Sequence, residues 1–420
     1  MDAPALVKEA TLYSKGGSSW DIREFISFDH YEDILKPAVT MKITFIDSAQ
    51  SGGKSAFKNL PIKEGETSID LRFVHPTDTS AEYVVERSNT YLYKPGSLSR
   101  SSGYELVTLD FTSPEAVKNF TTRVTKKYKG LISQTINSLM TDVLETTKTI
   151  DVETTQEKIE VKGNNRRVLS NSTGQPGLVP DLARRAIPSS GNDENAGYLF
   201  YETSQGYHFK SLDSLLKQSP VATYTATTVN KASFYRDNNF IVLSYKFETT
   251  GQDVARIGNN GGFGGKRASF DFATGKAKIT DPKLSYESIG AETQTNPLQG
   301  LGSLNEVVFE VADTASSQED SNYKGEKAHN YNRPWDISSK KNYNSVFNSQ
   351  KLTLTIPFNP TLKAGDVIEI NFPQLDPTSK DKDIDEQISG KYLIKELNHN
   401  LTKKHSLTNL RVLRNSFGRT

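Results

Sequence analysis

The stretch GYLFYETSQGYHFKSLDSLL, Gly197–Leu216, decides how the fold of this 420-residue chain is predicted. Its aromatic runs Tyr198–Glu202 and Tyr207–Lys210 predict two short strands, and SQG between them predicts the turn of a tight hairpin. Ser211 predicts the N-cap of a brief helix that carries three leucines. Aromatic side chains in strands usually pack in a core, and we expect this of Tyr198, Phe200, Tyr207 and Phe209.

The sequence on the N-terminal side of the hairpin predicts helices. Ser113-Pro114-Glu115 has the capping hydroxyl, the first-turn proline and the early acid that start a helix. A second helix is predicted after Gly130 by apolar residues at helical spacing, and Leu178–Ile187 predicts a third. Together with the hairpin, these elements indicate an α/β middle domain over residues 113–220.

Strands are predicted on both sides of the middle domain. In the run 39–46, alternate residues fall on one face, which is typical of a half-buried strand, and they are Val39, Met41, Ile43 and Phe45. Further strands before residue 112 are predicted at Ser68–Val74, Glu82–Val85 and Tyr104–Phe111. After residue 220 they are predicted at Phe240–Phe247, Lys266–Phe272, Leu352–Phe358, Val367–Phe372, Tyr392–His399 and Leu407–Leu413. The predicted fold class is mainly β with an α/β middle domain, divided into residues 1–112, 113–220 and 221–420.

A polar stretch at about 314–349 interrupts the C-terminal β domain and is predicted to be a long insertion. It is rich in Ser, Asn and Lys, and its aromatic residues Tyr323, Tyr331 and Trp335 are hard to bury there. Exposed aromatic side chains among polar ones are typical of a surface that contacts a partner. We expect this insertion to dock on a neighbouring subunit.

The composition restricts the classes of function that the chain can perform. It contains no cysteine, which excludes disulfides, thiolate metal sites and cysteine nucleophiles. The formal net charge is +1, whereas a dedicated nucleic-acid binder carries a basic excess, so no specific nucleic-acid partner is expected. The N-terminus lacks a signal-peptide pattern, and no apolar run approaches the ~20 residues that span a bilayer. We expect a soluble chain that is made in the cytoplasm and does not insert stably in membranes.

Motifs that carry chemistry are absent or incomplete. GGKS in Ser51–Phe57 has Ser48 where a phosphate-binding loop needs glycine, and the glycine cluster Gly258–Gly265 misses the same pattern. No G-x-S-x-G occurs, and the acidic run Asp381–Glu386 lacks the ligand order of a calcium loop. The sequence thus assigns no catalytic, cofactor-binding or metal-binding residue, and we expect a protein that is not an enzyme. The scattered histidines are predicted to be hydrogen-bonded or solvated strand residues, and they are His30, His75, His208, His329, His399 and His405.

The order of several short motifs resembles that of phage baseplate hub proteins. Leu178–Ala186 (LVPDLARRA), followed by the hairpin of Gly197–Leu216, is similar to the middle domain of that family. Further segments that resemble the family are Val124–Ile136, Phe270–Asp281 and Gly390–Ser416. The resemblance covers most of the chain, and it is to the hub family of contractile phage tails, which is related to the hub part of type VI secretion spikes.

This resemblance implies a fold, an assembly and a set of partners. Hubs of this family are homotrimers in which each subunit supplies two tail-tube-like antiparallel β-barrel domains, so that six barrels form a ring. Such a ring adapts a sixfold tail tube to a threefold spike. The implied partners are the spike protein, the tail tube protein, the baseplate wedge proteins and the tape measure protein, in the tail baseplate of a virion assembled in the host cytoplasm. Because no lysozyme or needle segment follows the second β domain, a separate spike protein is expected.

Two other functions are left open by the residues alone. The first is a tail-associated peptidoglycan hydrolase, which needs two carboxylates at a separation that sequence does not give. The second is a receptor- or carbohydrate-binding tail protein, which would show aromatic platforms on an exposed face.

Overall fold

The computed structural model describes most of the chain. The described residues are 6–48, 56, 60–74, 82–101, 104–155, 158–170, 177–189, 197–226, 240–250, 253, 255–256, 266–271, 276–280, 292–293, 307–312, 346–374 and 384–417. They form two β-rich regions on either side of a smaller middle region that contains the longer helices. The predicted fold class, mainly β with an α/β middle region, is therefore confirmed.

The N-terminal region is built from antiparallel strands in two packed layers. Its strands are β1 (Leu6–Tyr13), β2 (Ser19–Asp21), β3 (Glu24–Asp33), β4 (Thr40–Ser48), β5 (Ser68–Val74), β6 (Glu82–Val85), β7 (Tyr91–Ser101) and β8 (Tyr104–Thr112). One layer has the strand order β2-β1-β5-β6, and its side chains pack against those of β3, β4, β8 and β7. The predicted alternation is confirmed, because the core between the layers buries Val39, Met41, Ile43 and Phe45.

The middle region confirms the predicted hairpin and helices. Its helices are α1 (Pro114–Thr121), α2 (Ile132–Ser138), which continues as a π-helical segment Leu139–Val143, α3 (Leu178–Arg185) and α4 (Leu212–Leu216). Its strands are β9 (Lys127–Leu131), β10 (Ile150–Val152), β11 (Lys158–Lys162), β12 (Tyr198–Thr203) and β13 (Gly206–Ser211). The four hairpin aromatics are buried as predicted, and Ser211 Oγ accepts the N–H of Ser214 at 3.1 Å, which confirms the N-cap. None of the described helices is long and apolar enough to cross a membrane.

The cap predicted at Ser113 is correct in position and wrong in chemistry. Helix α1 begins at Pro114 as predicted, but the Ser113 hydroxyl makes no capping hydrogen bond. It accepts a hydrogen bond from the Tyr207 hydroxyl at 3.4 Å instead. The Ser113 side chain therefore joins α1 to the hairpin, because a tertiary partner competes successfully with the N–H groups of its own helix.

The C-terminal region contains the remaining strands. They are β14 (Thr223–Ala226), β15 (Ile241–Val242), β16 (Ser244–Thr249), β17 (Lys266–Asp271), β18 (Lys276–Thr280), β19 (Glu292–Thr293), β20 (Val307–Ala312), β21 (Gln350–Pro357), β22 (Val367–Asn371), β23 (Gly390–Thr402), β24 (Ser406–Arg414) and β25 (Ser416–Phe417). Each strand predicted here has a counterpart, although the run Phe240–Phe247 is divided into β15 and β16. The inward side chains of β14, β21, β22, β23 and β24 form an apolar core of their own.

The predicted polar insertion lies mostly outside the described residues. Residues 314–345, which include Tyr323, Tyr331 and Trp335, are not described, so their docking on a subunit stays a prediction. Residues 346–349 are described and are buried. The insertion therefore does not extend to residue 349 as predicted, because Val346 and Phe347 pack in an apolar cluster with side chains of β23 and β24.

The two β regions share one sheet of eleven strands. β23 pairs with β3 in antiparallel register from Glu396↔Asp33 to Thr402↔Ser27, and we call this pairing the seam. The pairings of the described strands contain no closed barrel; the seam joins the two β regions directly. Strands more than 350 residues apart leave no local pattern, which is why the sequence did not indicate this pairing. The domain boundaries near residues 112 and 220 stay predictions.

Candidate functional site at the junction of the three regions

Glu32 is a buried carboxylate that contacts all three regions. It lies on β3, where Phe28, His30 and Glu32 are buried on the same side of the strand. One Glu32 oxygen accepts the N–H of Ser204, in the turn of hairpin β12–β13, at 2.6 Å. The other accepts the N–H of Ala364, which precedes β22, at 2.8 Å. A single side chain of the N-terminal region thus holds the backbone of the other two regions.

The Glu32 carboxyl titrates far above its ordinary range. Burial raises its pKa to about 7, because the carboxylate loses its water. The N–H groups of Ala364 and Ser204 act in the opposite direction, since they stabilise the ionised form. Asp366, in the C-terminal region, adds a repulsion that raises the pKa further. The junction therefore contains an acid whose charge changes near neutral pH.

Glu202 forms a second link between the middle and N-terminal regions. It is buried on β12, and its Oε2 accepts the N–H of Val39 at 3.0 Å. Its Oε1 forms an ion pair with Lys148, whose Nζ also lies 3.4 Å from Glu115 Oε2 and 3.4 Å from the carbonyl oxygen of Asn89. Burial raises the pKa of Glu202, and the Lys148 charge opposes that rise. The buried charges are thus paired within the middle region, which keeps their desolvation tolerable. Backbone groups of Val39 and Asn89 link this cluster to the N-terminal region.

Two histidines face each other across the seam. His30 and His399 are a register pair of β3 and β23, with ring centroids 6.3 Å apart, and both are buried. The Tyr83 hydroxyl hydrogen-bonds to His30 Nδ1, and its ring lies 5.2 Å from that of His399. Burial lowers the pKa of His30 to about 3 and that of His399 well below its usual value, so both imidazoles are neutral near pH 7. They act as polar packing residues of the seam.

The loop before β22 approaches the middle region closely at Gly365. This residue has a φ of 94°, and a Cβ added to it would overlap the Tyr201 hydroxyl. Gln218 Nε2 donates to the Gly365 carbonyl oxygen at 2.9 Å. Glycine is therefore required both by the left-handed backbone and by the space.

The other described histidines lie apart from the pair His30 and His399. His208 is buried on β13, where its Nε2 lies 2.9 Å from Thr203 Oγ1, and burial lowers its pKa to about 4. His405 lies in the turn before β24, with Nε2 3.2 Å from Asn400 Oδ1, whereas His75 and His329 are outside the described residues. In the part of the chain that the structure describes, no group of three or more His, Cys, Asp or Glu is placed to hold a metal ion.

The remaining sequence motifs contribute little to the site. Of GGKS and its flanks, only Ala56 is described, and the cluster Gly258–Gly265 lies outside the described residues. The acidic run Asp381–Glu386 is described from residue 384, where Asp385 Oδ1 accepts the N–H of Gln387 at 2.9 Å. The described part of that run therefore forms a turn, as expected for a solvated loop.

The junction was not predicted from the sequence, although one signal for it was present. In the run FISFDHYED of β3, His30 and Glu32 alternate with solvent-facing residues on the same side as Phe28, which marks them as buried polar residues. Their partners, however, are the backbone N–H groups of Ser204 and Ala364, which no side-chain pattern identifies. Both oxygens of Glu32 and of Glu202 have protein partners. This arrangement suits a rigid mechanical link better than acid–base chemistry.

Comparisons with known proteins place the whole chain in a known fold. No protein-family model matches the sequence, and no curated protein matches it. The structure is similar to that of the tail protein from Neisseria meningitidis MC58, with 10% identity, a TM-score of 0.52 and coverage of 97% of this chain and 96% of that one. It is also similar to the 43 kDa tail protein of prophage MuSo2 from Shewanella oneidensis, with 9% identity, a TM-score of 0.52 and coverage of 97% and 98%. At these identities the similarity establishes the fold, and it confirms at that level the resemblance to phage tail proteins.

Proposed function

We propose that this chain is the structural hub of a contractile phage tail baseplate, with a mechanical and assembly-directing role and no catalytic residue. The observation that supports this most is the similarity to two tail proteins over nearly their whole lengths. A hub must keep several regions in fixed relative positions under load. The buried links of Glu32 and Glu202 are suited to that task, because the backbone N–H groups that they bind belong to other regions of the chain.

The proposed assembly is a homotrimer. Three copies of two tail-tube-like β regions give six similar units around one axis, which adapts a sixfold tail tube to a threefold spike. The proposed partners are the spike protein, the tail tube protein, the baseplate wedge proteins and the tape measure protein. The proposed location is the tail baseplate of the virion, after assembly in the host cytoplasm.

Mass determination in solution, followed by particle imaging, tests this proposal. We expect about 140 kDa for three chains of 46.7 kDa, and a particle with six lobes around a pore. Adding the tail tube protein should give a larger complex with sixfold features on one face. A stable monomer that cleaves purified peptidoglycan would replace the hub with the hydrolase alternative.

A further inference from the structure

A groove of about 490 Å³ crosses the seam on the face of the shared sheet that points away from the core. Its floor is a register row across five strands, β16, β21, β24, β23 and β3. The row consists of Ser244, Thr355, Asn409, Asn398 and Tyr31, each residue paired with the next. Because paired residues place their side chains on the same face, hydroxyl, amide and phenol groups lie side by side.

The amide groups of this floor are only partly used within the protein. Thr355 Oγ1 donates to Asn409 Oδ1 at 2.8 Å. Asn398 Nδ2 reaches Asp29 Oδ1 only at 3.5 Å, and Asn398 Oδ1 is buried with no hydrogen-bond partner among the described residues. The Asn398 amide can therefore turn towards a ligand donor and lose only a long hydrogen bond inside the protein.

Tyr31 supplies an aromatic surface at one end of the row. Its side chain is 43% exposed although it lies in the middle of a sheet. Burial of the other part raises the pKa of its phenol, and its hydroxyl lies within hydrogen-bonding reach of Asp29 and Asn398. A tyrosine with this exposure offers an apolar ring face together with a polar tip.

The charges around the groove balance, which restricts the class of ligand. Arg411 pairs with Glu396 at 3.2 Å and Lys36 with Asp33 at 3.8 Å. A phosphate chain requires a basic excess, which these pairs do not provide. An apolar segment would require an apolar floor, but the leucines that line the groove are buried beneath it, and they are Leu354, Leu397 and Leu410.

We propose that this groove binds a neutral oligosaccharide. Tyr31 stacks on one sugar ring, and the amides of Asn398 and Asn409 hydrogen-bond to hydroxyl or N-acetyl groups. The volume of about 490 Å³ is within the range of small-molecule sites. The site exists only when the two β regions are joined, because its floor spans the seam.

Calorimetric titration of the full-length protein with sugars tests the proposal. The probes are chitotetraose, which carries N-acetyl groups, and maltotetraose, which does not. We expect Tyr31→Ala and Asn398→Ala each to weaken binding about tenfold, and Tyr31→Phe to retain most of it because the ring remains. Tyr31→Leu serves as a second variant that keeps apolar volume. The matched control is Tyr93→Ala, which removes a tyrosine of 39% exposure on β7, outside the groove, and should leave the affinity unchanged.

Three results would overturn the proposal. They are no binding of either sugar at millimolar concentration, equal affinity of Tyr31→Ala, Tyr31→Leu and the wild type, or salt-sensitive binding of single-stranded DNA at the groove in place of the sugars. The solution mass of the same samples is measured in parallel. If the protein is a trimer and binds no sugar, only the sugar-binding proposal is wrong. If it is a monomer and binds sugar, the sugar-binding proposal is supported and the hub proposal is wrong.

Discussion

The hairpin β12–β13 and the seam β3–β23 are antiparallel pairings of similar length, with six and seven Cα pairs, but different side chains stabilise them. The hairpin also buries Glu202 and His208. Its two strands are held to each other by rings such as Tyr198 and Phe209, which stack with centroids 4.5 Å apart. The seam buries the ionisable side chains His30, Glu32 and His399. A local pairing can rely on apolar contact. The buried polar side chains of the seam instead hydrogen-bond to the elements packed around it, which are the hairpin turn at Ser204, the loop at Ala364, Tyr83 and Thr408.

Truncation of a hairpin ring should give the largest loss. Phe209→Ala removes a fully buried ring, so we expect the free energy of unfolding to fall by about 3–5 kcal/mol in a denaturant titration. The loss should be the same at pH 5 and pH 8, because apolar contacts do not titrate. Tyr104→Ala, which removes a ring that is 46% exposed, is the matched control and should lose less than about 1 kcal/mol. Equal losses in the two variants would contradict the apolar account of the hairpin.

Among the variants of the seam and its junction, removal of the Glu32 carboxylate should cause the largest loss of stability. Glu32→Ala leaves the buried N–H groups of Ser204 and Ala364 without their acceptors, and we expect a loss of about 2–4 kcal/mol in the free energy of unfolding. Glu32→Gln keeps one acceptor oxygen and should lose about half as much. The control is Glu24→Ala, on the same strand but only partly buried. If the Glu32 and Glu24 variants unfold alike, Glu32 does not link the regions.

A methyl group at Gly365 should lower the free energy of unfolding somewhat less than the loss of the Glu32 carboxylate. Gly365→Ala places a Cβ at a φ of 94° and against the Tyr201 hydroxyl. We expect the free energy of unfolding to fall by about 2 kcal/mol. The double variant Gly365→Ala with Tyr201→Phe removes the closest overlap, with the hydroxyl, and leaves the tight ring contacts and the backbone strain. It should therefore be more stable than the sum of the two single variants predicts, which a thermal unfolding series can measure. Simple additivity would show that the two regions do not touch there.

The same contrast explains what the sequence predicted. The hairpin was predicted because its strands and turn are adjacent in sequence. The predicted run 198–202 differs from β12 by one residue at one end, and the run 207–210 differs from β13 by one residue at each end. The seam was missed because β3 was not among the predicted strands and because its two strands lie at opposite ends of the chain. The junction was missed because Glu32 binds backbone N–H groups, which every residue except proline carries. Alternation in β3 identifies Glu32 as buried, but it does not identify its partners.

The pH dependence of stability should give the smallest effect and separates the two regions most directly. Burial raises the pKa of folded Glu32 to about 7, from 4.5 for the ordinary side chain. The folded protein therefore holds this proton more tightly than the unfolded chain does. The resulting stabilisation is complete below about pH 4.5 and is lost as the pH rises through 7. We expect the stability of the wild type relative to Glu32→Gln to fall by about 1–2 kcal/mol between pH 5 and pH 8.

The buried histidines change stability with pH in the opposite direction to Glu32, and they are present in both the wild type and Glu32→Gln. Burial lowers the pKa of His30 to about 3 and that of His208 to about 4. The unfolded chain therefore binds their protons first, and their contribution to stability grows as the pH rises through 6.5. Both proteins contain these histidines, so the difference between wild type and Glu32→Gln reports the carboxyl together with its effect on His30, whose Nδ1 lies 4.0 Å from Glu32 Oε1. A difference that stays constant or rises with pH would mean that Glu32 carries its charge at little cost, and the seam would then differ from the hairpin in geometry and not in electrostatics.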